Sequence, residues 1–527
     1  MSRLAATLIL LAWQAFPQRL PYERVLHAES EPGNWLTYSG NYASHHYSPL
    51  AQINRLNVQR LKPAWIYQAR SREHLETMPL VFDGVMYITD PPSDVTALDV
   101  RTGRPIWHYR RVIPEGVAVC CGQVNRGVAA LDDQLFVATI DAHLVALDAK
   151  TGRVRWDVEV ADYKQAITLT AAPLAIKDKI IVGMAGAEYG VRGFLDAYDA
   201  KTGRRAWRFW TAPGPGEPGN ETWSGDSWKQ GGATTWVTGS YDAGLNLLYW
   251  GTGNPGPDYD GTVRQGDNLY SDSVIALDPT TGKLKWHFQF VPHDVNDMDS
   301  NQIPVLIDAA WNGKPRKLML FANRNAFYYV LDRETGEFLR AAPFAKQNWA
   351  KGIDAKGRPI PSLTTAASAA GALVYPDDDG TSNWFSPSFS PRTRFFYQNV
   401  REKGAYYFKA GTSYKPGQMY LGATKRDIPN EEAYGALRAL NAITGEKAWE
   451  FRTYSPPWCG VLATAGDLVF SGTMEGDFFA LDAWTGKSLW RFQTGGEIWA
   501  NPISYRSEGK QYVALAAGSA LMVFGID

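Results

Sequence analysis

Seven copies of one short phrase constrain this chain of 527 residues more than anything else in it. Each copy reads Asp (once Asn), two variable residues, then Thr-Gly. They begin at Asp99, Asp148, Asp199, Asp278, Asp332, Asn441 and Asp482. In six of the seven a Trp follows the Gly by four positions, at Trp107, Trp156, Trp207, Trp286, Trp449 and Trp490, and the fifth copy has Arg340 there. A degenerate eighth copy, ending in Ala64-Trp65, precedes them. A phrase returning at roughly 40–50 residues marks units that bury their faces only against one another.

The stretch from Gln134 to Trp156 shows what one unit contains. Residues 135–139 and 144–147 are short β-rich runs joined at Ile140-Asp141-Ala142. The Asp148 side chain is suited to accept turn N–H groups, and Gly152 tolerates positive φ. Residues 153–158 alternate and predict a further strand around Trp156. No segment has a long helical period. The expectation is an all-β chain: an eight-bladed β-propeller of four-stranded antiparallel blades with long functional inserts. The recurring Trp should pack between neighbouring blades.

Length alone would predict about three domains. The repeats predict one instead, a single propeller over residues 29–527. Residues 4–15 form an apolar run after Arg3, too short to span a bilayer, which reads as a secretory signal peptide in a leader region of residues 1–28. No other segment is apolar enough to cross a membrane. A formal net charge of −1 leaves no electrostatic footprint for nucleic acid. No Cys-x-x-Cys-His occurs, so no covalent c-type haem is expected on these residues.

The chemistry lies outside the repeat phrase. Cys120-Cys121 is the rarest feature, either a disulfide between adjacent residues, plausible in an oxidising compartment, or two buried thiols. The run from Met184 to Gly193 is a Gly-rich loop carrying Glu188, which lets backbone approach a ligand closely or is an ordinary turn. Gly231-Gly232-Ala233-Thr234-Thr235-Trp236 sets a large aromatic face beside small residues, outside the repeat phrase. Asn254 ends a strand in Gly-Asn-Pro. Residues 292–299 are crowded with carboxylates. If extended, Asp297 and Asp299 share a face, where a cation or a proton is needed between them; the alternative is a solvated acidic loop. Glu188, Asn254, Asp297 and Asp299 form an all-oxygen set, suited to Ca²⁺ or a larger trivalent ion rather than zinc.

These motifs together, with Asn-Arg-Asn around Arg324, resemble those of the quinoprotein alcohol dehydrogenases, which use pyrroloquinoline quinone (PQQ) and a metal ion in an eight-bladed propeller. The resemblance covers nearly the whole chain after the leader. It implies that Trp236 is the floor and the Cys120–Cys121 ring the ceiling of a sandwich around PQQ. It implies that Glu76, Arg126, Thr170 and Thr234 meet the cofactor's edge, with Gly186, Ala187, Asn383 and Trp458 as further contacts. Arg324 would support its reactive carbonyl. Glu188, Asn254 and Asp297 would hold the metal, with Asp297 also the catalytic base. Asp299 stands where the calcium-dependent methanol dehydrogenases carry a small apolar residue and the lanthanide-dependent branch an Asp. The implied ion is therefore a lanthanide, with Ca²⁺ as the alternative.

The implied reaction is oxidation of a small primary alcohol to an aldehyde in the periplasm, with a soluble cytochrome c as electron acceptor; a homodimer is also admitted. Rival readings are a calcium enzyme for another alcohol or polyol, and a non-enzymatic propeller scaffold. Two departures bear on substrate. Ala185 replaces a cofactor-bonding Ser, and Asp258 stands where an aromatic is common, which is expected to reshape the substrate side. The stretch 341–382, rich in Ala, Gly, Pro and Asp, reads as a long loop interrupting the repeats and is expected to help cover the active-site mouth.

Overall fold

The computed structural model describes residues 19–429 and 432–526. The apolar run read as a signal peptide lies outside them. Among the described residues, seven antiparallel sheets have four strands each, and an eighth has five because Tyr47–Ser48 adds parallel to Leu462–Thr464. The unit dissected above forms one of them in chain order, from Ala129–Leu131, Gln134–Ala138, His143–Asp148 and Val154–Glu159. The chain is a propeller of such sheets.

The repeated phrase builds the joint between sheets. The Asp148 carboxylate accepts the N–H groups of Lys150 and Thr151 at 3.1 and 2.9 Å and the Thr151 hydroxyl at 2.8 Å. This turn leaves Gly152 at φ +69° with its open side over the previous unit's Trp, so that an added Cβ would stand 2.5 Å from the Trp107 ring. The Trp107 indole N–H donates to the Ala149 carbonyl at 3.1 Å. Gly103 meets Trp65, Gly203 meets Trp156, Gly282 meets Trp207, Gly336 meets Trp286 and Gly486 meets Trp449 in the same way. Where Arg340 replaces the Trp, Tyr328 and Ala342 fill the space beneath Gly445 at 2.9 and 3.0 Å from the equivalent Cβ position.

The two ends of the chain share a sheet. Strand Lys62–Gln68 pairs antiparallel with Ala520–Gly525, whose other neighbour is Lys510–Ala517 and beyond it Ile503–Ser507. Trp490 of the preceding sheet donates to the Leu61 carbonyl at 3.0 Å.

Residues 19–28, assigned above to the leader region, are packed. Leu20 is fully buried and bridges Asp132, Tyr22–Leu26 is a short helix, and Arg24 pairs with Glu31 and Asp83 at 2.8 and 2.9 Å. The stretch 341–382 is partly ordered into sheet rather than loop. Ala350–Ile353 pairs with Pro359–Pro361, and Ala372–Val374 joins Ala405–Lys409. No helix among the described residues is long and apolar enough to cross a membrane.

Candidate cofactor and metal site

Three non-repeat segments are laced together by their backbones at the site. Ala233 N–H donates to the Asn254 carbonyl and Gly253 N–H to the Thr234 carbonyl, both at 2.7 Å, and Ser300 N–H donates to the Thr252 carbonyl at 3.0 Å. Asn301 ties two of them with its amide, at 3.0 Å to Thr234 O and 3.1 Å to Gly251 O. Gly253 is required by close approach, since a Cβ there would sit 2.3 Å from Asp299 Oδ1. The acidic segment is shaped by Asp294, whose carboxylate accepts the N–H groups of Asn296 at 2.9 Å and Met298 at 2.6 Å. Asp297, held in this loop, has φ +57°, a left-handed conformation that a non-Gly residue rarely adopts.

These segments frame a cavity of about 380 Å³. Glu76, Cys120, Cys121, Arg126, Thr170, Gly186 and Thr234 line it. So do Trp236, Asn383 and Trp458, and with them Glu188, Asp297, Asp299 and Arg324. Two predicted residues stand behind the wall instead: Ala187 is buried, and Asn254 is buried with its N–H on Asp299 Oδ1 at 2.8 Å. Cys120 and Cys121 form a disulfide, and their sulfurs lie within 4.8 Å of a Glu188 carboxylate oxygen. The remaining cysteine, Cys459, is buried elsewhere as a thiol that burial pushes up to about 12.

At one edge Arg126 pairs with Glu76 at 2.7 Å, bonds Thr170 at 3.1 Å and lies 5.3 Å from the Trp236 ring centre. At the other, Arg324 bridges Asp297 at 3.2 Å and Asp299 at 3.0 Å. The Trp236 indole N–H also donates to Asp299, at 3.1 Å. His293, in the same acidic segment, bonds the Gly266 carbonyl at 2.8 Å.

The electrostatics of the acidic wall are lopsided. Glu188, Asp258, Asp297 and Asp299 all line the cavity, with Arg324 as the cation bridging two of them. Burial, reinforced by Asp299, pushes the Glu188 carboxyl up to about 6. Burial also raises Asp297 well above the carboxylate range, against the pull of Arg324 and with the push of Asp299 and Asp258. Carboxylates crowded in this way resist ionisation unless a cation joins them. Asp258 Oδ1 and Asn254 Nδ2 are buried without hydrogen-bond partners, and so are Arg126 Nε and Arg324 Nε. The Asp258 oxygen is an unmet acceptor among carboxylates, and an all-oxygen set of this kind fits a hard cation. A cavity with a Trp wall and two underused guanidinium groups fits a flat, multiply anionic cofactor such as PQQ.

Several wall residues carried no sequence signal. Tyr259, Asp378, Asp379, Trp384, Met419, Leu421 and Trp499 come from inserts, and only Asp378 and Asp379 belong to the stretch 341–382. The insert bearing Met419 and Leu421 docks on the Glu188 loop, with Tyr420 N–H on the Glu188 carbonyl at 2.6 Å. Asp258, expected on the substrate side, is buried beside Asn254 and Glu188.

The family described as PQQ, "Glucose/ethanol/alcohol dehydrogenase, beta-propeller domain", matches residues 35–343 and 453–513. The quinoprotein alcohol dehydrogenase PedH of Pseudomonas putida is 38% identical over 94% of this chain and 88% of its own. The lanthanide-dependent methanol dehydrogenase of Methylacidiphilum fumariolicum is 38% identical over 94% of this chain and 86% of its own. A solved europium-containing methanol dehydrogenase superposes with a TM-score of 0.90 at 34% identity, covering 95% of this chain and 100% of that one.

Proposed function

The chain belongs to the PQQ-dependent alcohol dehydrogenase family of β-propellers, and from that premise we propose that it oxidises a small primary alcohol to an aldehyde with a lanthanide ion at Glu188, Asn254, Asp297 and Asp299. The observation that carries the reading is the convergence of those carboxylates, with Arg324, on one cavity that also holds Trp236 and the adjacent-cysteine disulfide.

Bound PQQ supplies the hydride acceptor and the ion its polarisation. The chain's own residues do the rest. Asp297 accepts the hydroxyl proton at a carboxylate oxygen. Its burial raises its proton affinity, which suits a general base, while Arg324 at 3.2 Å keeps it oriented. Arg126, Glu76 and Thr170 hold the cofactor's edge, and Asn383 and Trp458 add contacts around it. Tyr259, Met419 and Leu421 give the cavity an apolar wall against which the alcohol's carbon chain would pack.

On this reading the sheets are the blades of one closed eight-bladed ring, supported by the Trp-on-Gly joints and the sheet shared by both ends. The protein works in the periplasm and passes electrons to a separate cytochrome c. A leader, where cleaved, ends before Arg19, because Leu20 is already buried.

Dye-coupled alcohol oxidation by PQQ-reconstituted protein, with La³⁺ or Ca²⁺ and repeated for Asp299→Ala, tests the assignment. The expected result is activity with La³⁺, little with Ca²⁺, and at least about a hundredfold loss in the variant. Activity with Ca²⁺ alone overturns the role of Asp299. No activity and no PQQ binding overturns the whole assignment.

A further inference from the structure

Asp258 is the buried acid in this site that neither the repeat nor the implied ligand set explains. It is only 1% exposed, yet it lines the cavity, and its Oδ1 has no hydrogen-bond partner. Its neighbour Asn254 is similarly placed, with Nδ2 buried and unpartnered. The backbone on both sides of Asp258 is fixed. Arg264, fully buried, donates from Nη2 to the Pro257 carbonyl at 3.0 Å and from Nε to the same oxygen at 3.2 Å. Tyr259 N–H donates to the Leu421 carbonyl at 2.9 Å, and its hydroxyl donates to Asp378 at 2.8 Å. The carboxylate is therefore held on the cavity by bonds to the backbone beside it, and the attraction of Arg264 and Asn254 for its charge is outweighed by its burial and by Glu188.

We propose that Asp258 is a fourth carboxylate of the cation site, binding the ion together with Glu188, Asn254, Asp297 and Asp299 and tuning it to a trivalent cation. The inference rests on the cation-site reading above. Its physical basis is charge. Glu188, Asp258, Asp297 and Asp299 put four acidic groups on one cavity with Arg324 bridging two of them, and each added anionic ligand favours a trivalent ion over a divalent one by Coulomb attraction. The free Oδ1 is an oxygen donor of the kind a hard cation takes. Burial and the negative Glu188 beside it raise Asp258 well above the carboxylate range in the ion-free protein. The ion would relieve that repulsion.

The test uses PQQ-loaded protein stripped of metal and re-titrated with Eu³⁺ and with Ca²⁺, comparing wild type, Asp258→Asn and Asp299→Ala. Eu³⁺ luminescence lifetimes in H₂O and D₂O count the waters on the ion. Asp258→Asn should weaken Eu³⁺ binding by about 10- to 100-fold, weaken Ca²⁺ less, and admit one further water to the ion. It should also raise the thermal midpoint of the metal-free protein, because a repelled buried carboxylate has been removed. A merely structural Asp258 would lower it. Unchanged Eu³⁺ affinity and hydration in Asp258→Asn, beside a clear loss in Asp299→Ala, overturns this inference and leaves the cation site standing. Wild type that binds neither ion overturns the site itself, and this inference with it.

Discussion

Glu188 illustrates how much of this protein's behaviour is set by single buried groups. Its folded-state pKa is raised to about 6 by burial and then by Asp299, against an ordinary 4.5. A carboxyl raised on folding contributes stability that is full below its unfolded pKa and lost as pH rises through the folded value. Metal-free protein should therefore gain about 1 kcal/mol from this group as pH falls from 7 to 5. A bound ion reverses the balance, because it needs the carboxylate ionised. The expected outcome is a gap in thermal midpoint between ion-loaded and metal-free protein that is widest near pH 7 and shrinks towards pH 5. A gap that stays constant over that range would show that Glu188 does not meet the ion. The residues of this wall were legible from sequence where they sat in short, unusual motifs, as Glu188, Trp236 and Asp297 do. Asp258 was legible only as an oddity, because nothing in its turn tells that Arg264, six residues on, and Leu421, remote in sequence, fix the backbone on either side of it.

At the scale of the element, the repeat turn acts as a socket for the previous unit's Trp. Gly152→Ala would force a Cβ into left-handed backbone at φ +69° and against the Trp107 ring at 2.5 Å. Gly509 offers the control, with φ +78° and no atom within 4 Å of an added Cβ. Chemical denaturation should find Gly509→Ala about 1 kcal/mol destabilised from backbone alone. Gly152→Ala should lose about 2–3 kcal/mol, the excess being the displaced indole. Equal losses would mean that the ring moves aside freely. This joint was legible because its residues recur at fixed spacing. The inserts were not: Met419 and Leu421 belong to no repeat, and their place on the wall depends on the long-range bond from Tyr420 to Glu188. The stretch 341–382 read as uniform loop from its composition, yet Ala372–Val374 finds strand partners beyond it in sequence.

For the molecule as a whole, closure of the proposed ring would depend on strand Lys62–Gln68 finding the C-terminal strands. Removing residues 503–526 leaves that strand without a neighbour and takes the Trp490 sheet's next-door partner away. The expected product lacks a cooperative melt by circular dichroism and is poorly soluble, since an open strand edge is an aggregation template. A truncated chain that still melts cooperatively near the wild-type midpoint would sink the closed-ring reading. The same scale bears on where the packed body begins. Hydrophobicity in residues 4–15 draws the eye to the terminus, but the contact that fixes where the packed body begins runs from Leu20 to Asp132.

The sheet shared by both ends also sets a timetable for biosynthesis. Lys62 faces Gly525 in the finished register, so an early-emerging strand has no native partner until the residues up to Gly525 have been made. At ordinary synthesis rates that is a wait of roughly 20–90 s. Throughout it the polypeptide cannot lock into its final shape. For a protein proposed to act beyond the inner membrane, this enforced delay keeps the chain in a threadable condition while it is being handed to the export machinery.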